Sequence, residues 1–227
     1  MSAEELRGGA SAAAGAQGAR LVLATHNQGK LRELRELLRG QVPGLDVDTQ
    51  VVDAAAAGAP DVVESGVTFA ENSLLKARAV AEATGLVAIA DDSGLAVDVL
   101  GGAPGIFSAR WAGRHGDDEA NLQLLLAQLS DVPDAHRGAA FVCAAALAVP
   151  DTGGLRGREV VEYGQLEGFL LREPRGDGGF GYDPILQPVG EDRSCAELTS
   201  PEKNAISHRG KAFRALLPAI VEALDRP

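Results

Sequence analysis

The chain has 227 residues, enough for one sizeable domain and marginal for two. Hydrophobic residues make up 45% and no apolar run reaches the length of a membrane span, so the composition is that of an ordinary globular protein without a transmembrane helix. A formal net charge of −11 excludes the basic footprint that a nucleic-acid polymer needs, but leaves room for a single nucleotide held by a few local cations.

Residues 1–19 are mostly Ala and Gly with Glu4 and Glu5, and lack both a signal-peptide core and a transit-peptide composition. They are expected to form a disordered leader, with 20–227 as a single domain. Residues 20–25 read as an apolar strand. The spacing of Leu31, Leu34, Leu37 and Leu38 predicts a helix over 28–39. A second strand is expected over 45–52, then an Ala/Gly/Pro loop to about residue 66. Thr68-Phe69-Ala70-Glu71 has the form of a capping box and opens a helix to about Ala83. Val87 to Ala90 reads as a short buried strand that ends at Asp91-Asp92-Ser93-Gly94.

After a loop at 101–105, an acid-started helix is predicted over Asp117 to Leu129. Ala139 to Val149 and Glu159 to Leu170 read as long strands of one hairpin, turning at Asp151 to Gly157. A Gly-rich loop covers Arg172 to Pro184. Ser200-Pro201-Glu202 starts a helical turn, Ser207 caps a last helix, and Pro218 is expected to break or restart it. Early βα units followed by antiparallel strands imply an α/β fold with a mixed sheet flanked by helices. Cys143 and Cys195 are the only cysteines, which points to a reducing, cytoplasmic setting rather than a disulfide scaffold.

Four places in this layout carry chemistry. The first is the strand-to-helix junction Thr25-His26-Asn27-Gln28-Gly29-Lys30. A helix N-terminus offers free N–H groups and a positive dipole end, Gly29 permits close approach, and Lys30 adds full charge, so phosphate is the obvious guest. A capped turn with a surface lysine is the alternative. The segment is not a Walker A loop, because the spaced glycines are missing and Leu31 follows the lysine. Arginine is abundant, yet Lys30, Lys76, Lys203 and Lys211 are the only lysines, and three of them sit beside candidate site loops.

The second place is Asp91-Asp92-Ser93. Adjacent carboxylates at a strand end suit Mg²⁺ beside phosphates, or could orient a water; the alternative is an Asx turn closing the strand. Glu64 is a possible further ligand. The third is Gly176 to Pro184. Aromatic residues are only 4% of the chain, yet Phe180 and Tyr182 stand among glycines, a candidate stacking platform for a base or a turn pinned to the core. At the start of the last helix, His208 and Arg209 can donate to carbonyl oxygens or phosphate.

Taken together, "LATHNQGKLREL", "TFAENSLLKA", "AIADDSGLAVDVLGGAPGIFSARWAG", "GGFGYDPI" and "ELTSPEKNAISHRGKA" resemble, in order, the motifs of the inosine triphosphate pyrophosphatase family and cover most of residues 20–217. The resemblance implies an elongated mixed sheet, two lobes around a deep substrate cleft, and a homodimer. It implies Mg²⁺-dependent hydrolysis of ITP, dITP and XTP to the monophosphate and pyrophosphate, which keeps deaminated purines out of DNA and RNA. By resemblance Thr25, His26, Asn27, Gln28, Gly29, Lys30 and Lys76 cradle the triphosphate, Asp92 is the acidic catalytic residue, and Glu64 and Asp92 lie near the metal. Ser93, Phe180, Gly181, Tyr182, Asp183, Lys203, His208 and Arg209 match substrate contacts. The chain departs from the family where Val63-Glu64 replaces a common acidic pair and Trp111 a common tyrosine. A pyrophosphatase of other base preference and a catalytically silent nucleotide-binding module are the alternatives.

Overall fold

A computed structural model describes residues 18–151 and 157–225. The expected leader, up to residue 17, and the tip of the hairpin turn at 152–156 lie outside the described residues. The order of elements is β1 (Leu21–Leu23), α1 (Gln28–Leu38), α2 (Val47–Gln50), β2 (Val51–Asp53), α3 (Phe69–Thr84), β3 (Val87–Val97), α4 (Asp118–Gln128), β4 (Gly138–Val149), β5 (Arg158–Leu170), β6 (Leu186–Pro188), α5 (Ser200–Ile206) and α6 (His208–Asp225), with short 3₁₀ turns between β3 and α4 and before β4.

These strands form one six-stranded mixed sheet in the order β2-β1-β3-β4-β5-β6. β1 pairs in parallel with both β2 and β3, whereas β3, β4, β5 and β6 pair antiparallel. Alternation of side chains across the pleat sets the two layers. Leu21, Leu23, Ile89, Ala145 and Leu147 meet α1 and α6 on one face. Val22, Ala88, Ala90, Ala146 and Ala148 meet Ala77, Val80 and Ala81 of α3 on the other. The far half of the sheet has its own core, built from Leu95, Val97, Phe141 and Leu166 against Leu122 and Leu125 of α4 and Ile185. The cores thus fall into two halves along the sheet.

The expected strand over 45–52 is mostly absent. Asp46 caps a helical turn over Val47–Gln50 through its carboxylate, and only Val51–Asp53 joins the sheet. An Asx cap competes with the ladder, and here the cap wins. Pro218 neither breaks nor restarts the last helix, which runs unbroken through it to Asp225. Pro218 lies on the exposed side, where water can satisfy the backbone carbonyl that it leaves without a donor. The capping box at Thr68 is half formed: Thr68 accepts from the Glu71 N–H at 3.1 Å, but the Glu71 carboxylate takes the Val67 N–H at 2.7 Å. A full reciprocal box closes α5 instead, between Thr199 and Glu202.

The largest revision concerns β3, which does not stop at Ala90 but continues to Val97. The strand that stops is β1. Leu23 pairs with Ile89, and the Ala24 N–H makes the next bond to the Ile89 carbonyl at 2.7 Å. Asp91, Asp92 and Ser93 therefore lie in the middle of a long strand, just past the carboxyl end of its parallel neighbour, where a ligand site is expected.

Candidate active site

The pleat separates the two aspartates. Asp91 continues the face of Leu21 and Ile89 and points to α1 and α6, while Asp92 continues the face of Ala88 and Ala90 and points to α3. Adjacent in sequence, they cannot close on one metal ion as the expected carboxylate pair would.

Asp91 is 3% exposed and bound by two cations. Lys30 of α1 donates to both of its oxygens, at 2.9 and 2.7 Å, and Arg209 of α6 donates from Nε at 3.1 Å. Burial pushes this carboxyl upward, but Lys30 and Arg209 outweigh it and hold Asp91 ionised, well below the ordinary range. Beside these ion pairs the Arg209 guanidinium also reaches the Ser93 hydroxyl at 3.5 Å.

Asp92 has a different setting. It accepts from the Asn72 amide at 3.0 Å and from the Ser93 N–H at 3.0 Å. Burial raises its proton affinity; Lys76 and the Asn72 bond oppose this, and the nearby charges of Glu64 and Asp91 add to it. Lys76, on α3, pairs with Glu64 at 2.6 Å and is within electrostatic reach of Asp92. Glu64, Lys76 and Asp92 thus form one cluster on the α3 face.

At the first junction, Asn27 caps α1 with its own side chain, accepting from the N–H groups of Gly29 at 2.8 Å and Lys30 at 3.3 Å. Thr25 accepts from the Asn27 N–H at 3.1 Å, His26 meets Asp61 at 3.0 Å on the surface, and the Gln28 amide donates to Asp53. The helix end is therefore partly self-satisfied, and the charge offered there comes chiefly from Lys30.

A cavity of about 820 Å³ opens on the α1/α6 face. It is lined by Gly29, Ser93, Arg209, His208 and Lys203, and on the far side by Phe180, Gly181, Tyr182 and Asp183. Phe180 is 64% exposed, and the Lys203 ammonium lies 5.1 Å from the centre of its ring. Asp183 is buried, accepts from the Phe180 N–H at 2.8 Å, and is ion-paired with Lys203. A Cβ at Gly179 would strike the Asp183 carboxylate at 2.1 Å, so glycine there is required for the loop to fold back on it. Tyr182 is not a second platform: its ring is buried and its hydroxyl donates to the Ser108 carbonyl at 2.9 Å. Of the two aromatics, only Phe180 presents a face.

His208 stacks on Phe141, with ring centres 5.1 Å apart. Burial, with help from Arg209, lowers its pKa to about 3, so the imidazole is neutral. Its Nδ1 is buried without a hydrogen-bond partner among the described residues, and the residue lines the cavity.

Several contributors escaped the sequence. Asn72 holds Asp92, Asp118 accepts from the Gly181 N–H at 2.9 Å, and Arg32, Glu33 and Glu36 line the cavity from α1. The Glu33 and Glu36 positions carry a signal in hindsight, at helical spacing from Gly29. Nothing local marks Asn72 or Asp118, because their partners are distant in the chain.

Cations and a neutral imidazole around one cavity, with an exposed ring beside Lys203, suit an α/β protein that binds a nucleotide. Comparison with known proteins narrows this further. The Ham1 family model matches residues 21–219, and the chain belongs to that family. It is 67% identical to a dITP/XTP pyrophosphatase of Streptomyces coelicolor, over 90% of this chain and 98% of that one. It is 53% identical to a dITP/XTP pyrophosphatase of Corynebacterium efficiens, over 89% and 98%. Among solved structures, a HAM1 protein of Coxiella burnetii superposes with a TM-score of 0.79 at 42% identity, over 90% and 99%. A nucleoside-triphosphatase / dITP/XTP pyrophosphatase of Mycobacterium abscessus does so with a TM-score of 0.71 at 50% identity, over 88% and 99%.

Proposed function

We propose that this chain does what its relatives are named for: it is a nucleoside triphosphate pyrophosphatase that hydrolyses dITP, ITP and XTP to the monophosphate and pyrophosphate. The observation that carries the reading is the division of labour across β3. One face offers a cavity with a ring, a neutral imidazole and two cations; the other offers an Asp held by an amide and a backbone N–H, with no cation bonded to it among the described residues, near a lysine.

The base lies against Phe180, and Lys203, His208 and Arg209 supply the polar edge. A 6-keto purine presents an acceptor there and adenine a donor, so the donors favour hypoxanthine and xanthine. Phosphates run past the end of β1, between Lys30 and Lys76, and Asp92 orients the attacking water. Glu64 and Asp92 fit Mg²⁺, which is typically held by one or two carboxylates together with substrate phosphates. Among the described residues no group of three or more acidic, His or Cys side chains could hold a metal. The mutual repulsion of Glu64 and Asp92 is what a cation between them would relieve. When bound, Mg²⁺ neutralises phosphate charge. The protein works in the cytoplasm as a homodimer.

The test is pyrophosphate release from dITP, ITP, XTP, GTP and ATP, each with and without Mg²⁺. The expected result is Mg²⁺-dependent release from the first three and poor release from the last two. Equal cleavage of ATP and ITP would remove the base-sorting role of these residues.

A further inference from the structure

Glu64 and Asp92 come from distant parts of the chain, and one buried side chain joins their supports. Asn72, in the first turn of α3, is 1% exposed. Its Oδ1 accepts from the Gly66 N–H at 2.8 Å and its Nδ2 donates to Asp92 Oδ2 at 3.0 Å. The orientation of the amide is forced, because a backbone N–H can only donate and an ionised carboxylate can only accept.

The contact with the loop depends on glycine. A Cβ at Gly66 would meet Asn72 Oδ1 and Glu71 Cβ, each at 2.7 Å. The next N–H, of Val67, is taken by the Glu71 carboxylate at 2.7 Å. Two consecutive N–H groups thus dock the loop on the first turn of α3. Just upstream of them, Glu64 pairs with Lys76, which lies one helical turn beyond Asn72 on the same side. At the other end, Asp92 Oδ1 takes the Ser93 N–H at 3.0 Å. Each Asp92 oxygen therefore has one fixed donor, which leaves its other lone pairs pointing in fixed directions.

We infer that Asn72 is a positioning residue for hydrolysis: it aims the free lone pairs of Asp92 and holds the Glu64 loop in register with them. This rests on the reading of Asp92 as the acting group. An amide is the side chain the position calls for, since it must accept on one side and donate on the other. An alanine could do neither.

The test uses the full-length protein and the charge-neutral variants Asn72→Ala and Gly66→Ala. Three quantities are measured: the number of dITP-binding sites per chain by calorimetry in EDTA, KM, and kcat per binding site with Mg²⁺. The cavity that takes the base lies on the opposite face of the sheet and Lys30 is untouched, so Asn72→Ala is expected to keep its binding sites. Any rise in KM through the Glu64 loop and Lys76 is expected to be much smaller than the fall in turnover. Turnover per site is expected to fall by about a hundredfold, the scale of a reacting group misplaced by about 1 Å. Gly66→Ala, which leaves Asn72 in place but pushes the loop away, should fall in the same direction by less.

A merely structural asparagine would lower the number of binding sites and leave turnover per site unchanged, and that result overturns the inference. If Asn72→Ala does not fold, Gly66→Ala decides, and wild-type turnover per site in that variant overturns it too. Wild-type protein that binds dITP without cleaving it overturns the function itself, and the inference with it.

Discussion

The two faces of β3 put neighbouring aspartates to opposite uses. Asp91 meets two cations at 2.7 to 3.1 Å and is locked as an anion. Asp92 meets an amide and a backbone N–H, and its proton affinity is raised. Identical side chains one residue apart differ because the pleat gives each a different helix for a neighbour: α1 and α6 for Asp91, α3 for Asp92. Asp91 is in the better electrostatic position and so has little freedom to react. Asp92 is in the worse one, as a catalytic base is expected to be.

Amide substitution breaks this comparison most strongly at Asp91. Asp91→Asn leaves Lys30 and Arg209 facing each other without an anion. Removing one partner of a buried ion pair costs about 3–5 kcal/mol, so urea unfolding should move by that order, and nucleotide binding should suffer with it. A variant as stable as wild type would show that the two cations need no anion between them.

At Asp92 the same change should do the reverse. A carboxylate whose folded pKa is raised destabilises the fold wherever it is ionised, so Asp92→Asn should unfold at the same or a higher urea concentration at pH 7. Its kcat should fall by about a hundredfold or more, as for a lost general base. Loss of stability together with wild-type turnover would interchange the roles given to the two residues.

The aromatic loop repeats the contrast on a smaller scale. Phe180 is exposed and Tyr182 buried, two residues apart. Base stacking is worth about 1–3 kcal/mol, so Phe180→Ala should depress kcat/KM for every nucleotide together and leave stability unchanged. Tyr182→Phe removes only the bond to the Ser108 carbonyl, so it should lower stability by about 1 kcal/mol and leave kcat/KM near wild type. A base-selective loss in Phe180→Ala would move recognition from Lys203, His208 and Arg209 to the ring.

What the sequence revealed was what local pattern encodes. The β1–α1 junction, α3 and the long β4–β5 hairpin follow from leucine spacing, a Thr cap and apolar runs bounded by turn residues. β3 was read too short because Asp91-Asp92-Ser93 looks like a strand end. Nothing within ten residues shows that Lys30 and Arg209 will neutralise one aspartate and Asn72 will hold the other, so three polar residues in mid-strand cannot be foreseen locally. Of the two readings open for the aromatic loop, Tyr182 takes the pinned one, and no local pattern decides it because its hydroxyl partner Ser108 is far away in the chain. The segment at 45–52 failed on a finer balance, an Asp46 cap against a few valines.

The smallest effect expected is in the pH dependence of stability, and it comes from the cationic face. His208 is buried against Phe141, with Arg209, Lys203 and Lys30 lowering its pKa and Asp91 opposing them. Its pKa falls from 6.5 to about 3 on folding. Between those values the unfolded chain carries the proton and the folded chain does not. Stability is therefore full above pH 6.5 and declines as pH falls through that window. One unit below the unfolded pKa this amounts to about 1 kcal/mol. Urea unfolding of wild type and His208→Gln at pH 7 and 5.5 isolates the effect, because the carboxylates titrate alike in both. The wild type should lose about 1 kcal/mol more than the variant. Parallel losses would mean that His208 takes up its proton within the fold, and a charged imidazole would then face the base. In that case the ITP/ATP preference should itself change between the two pH values, as the imidazole gains a charge and a second N–H.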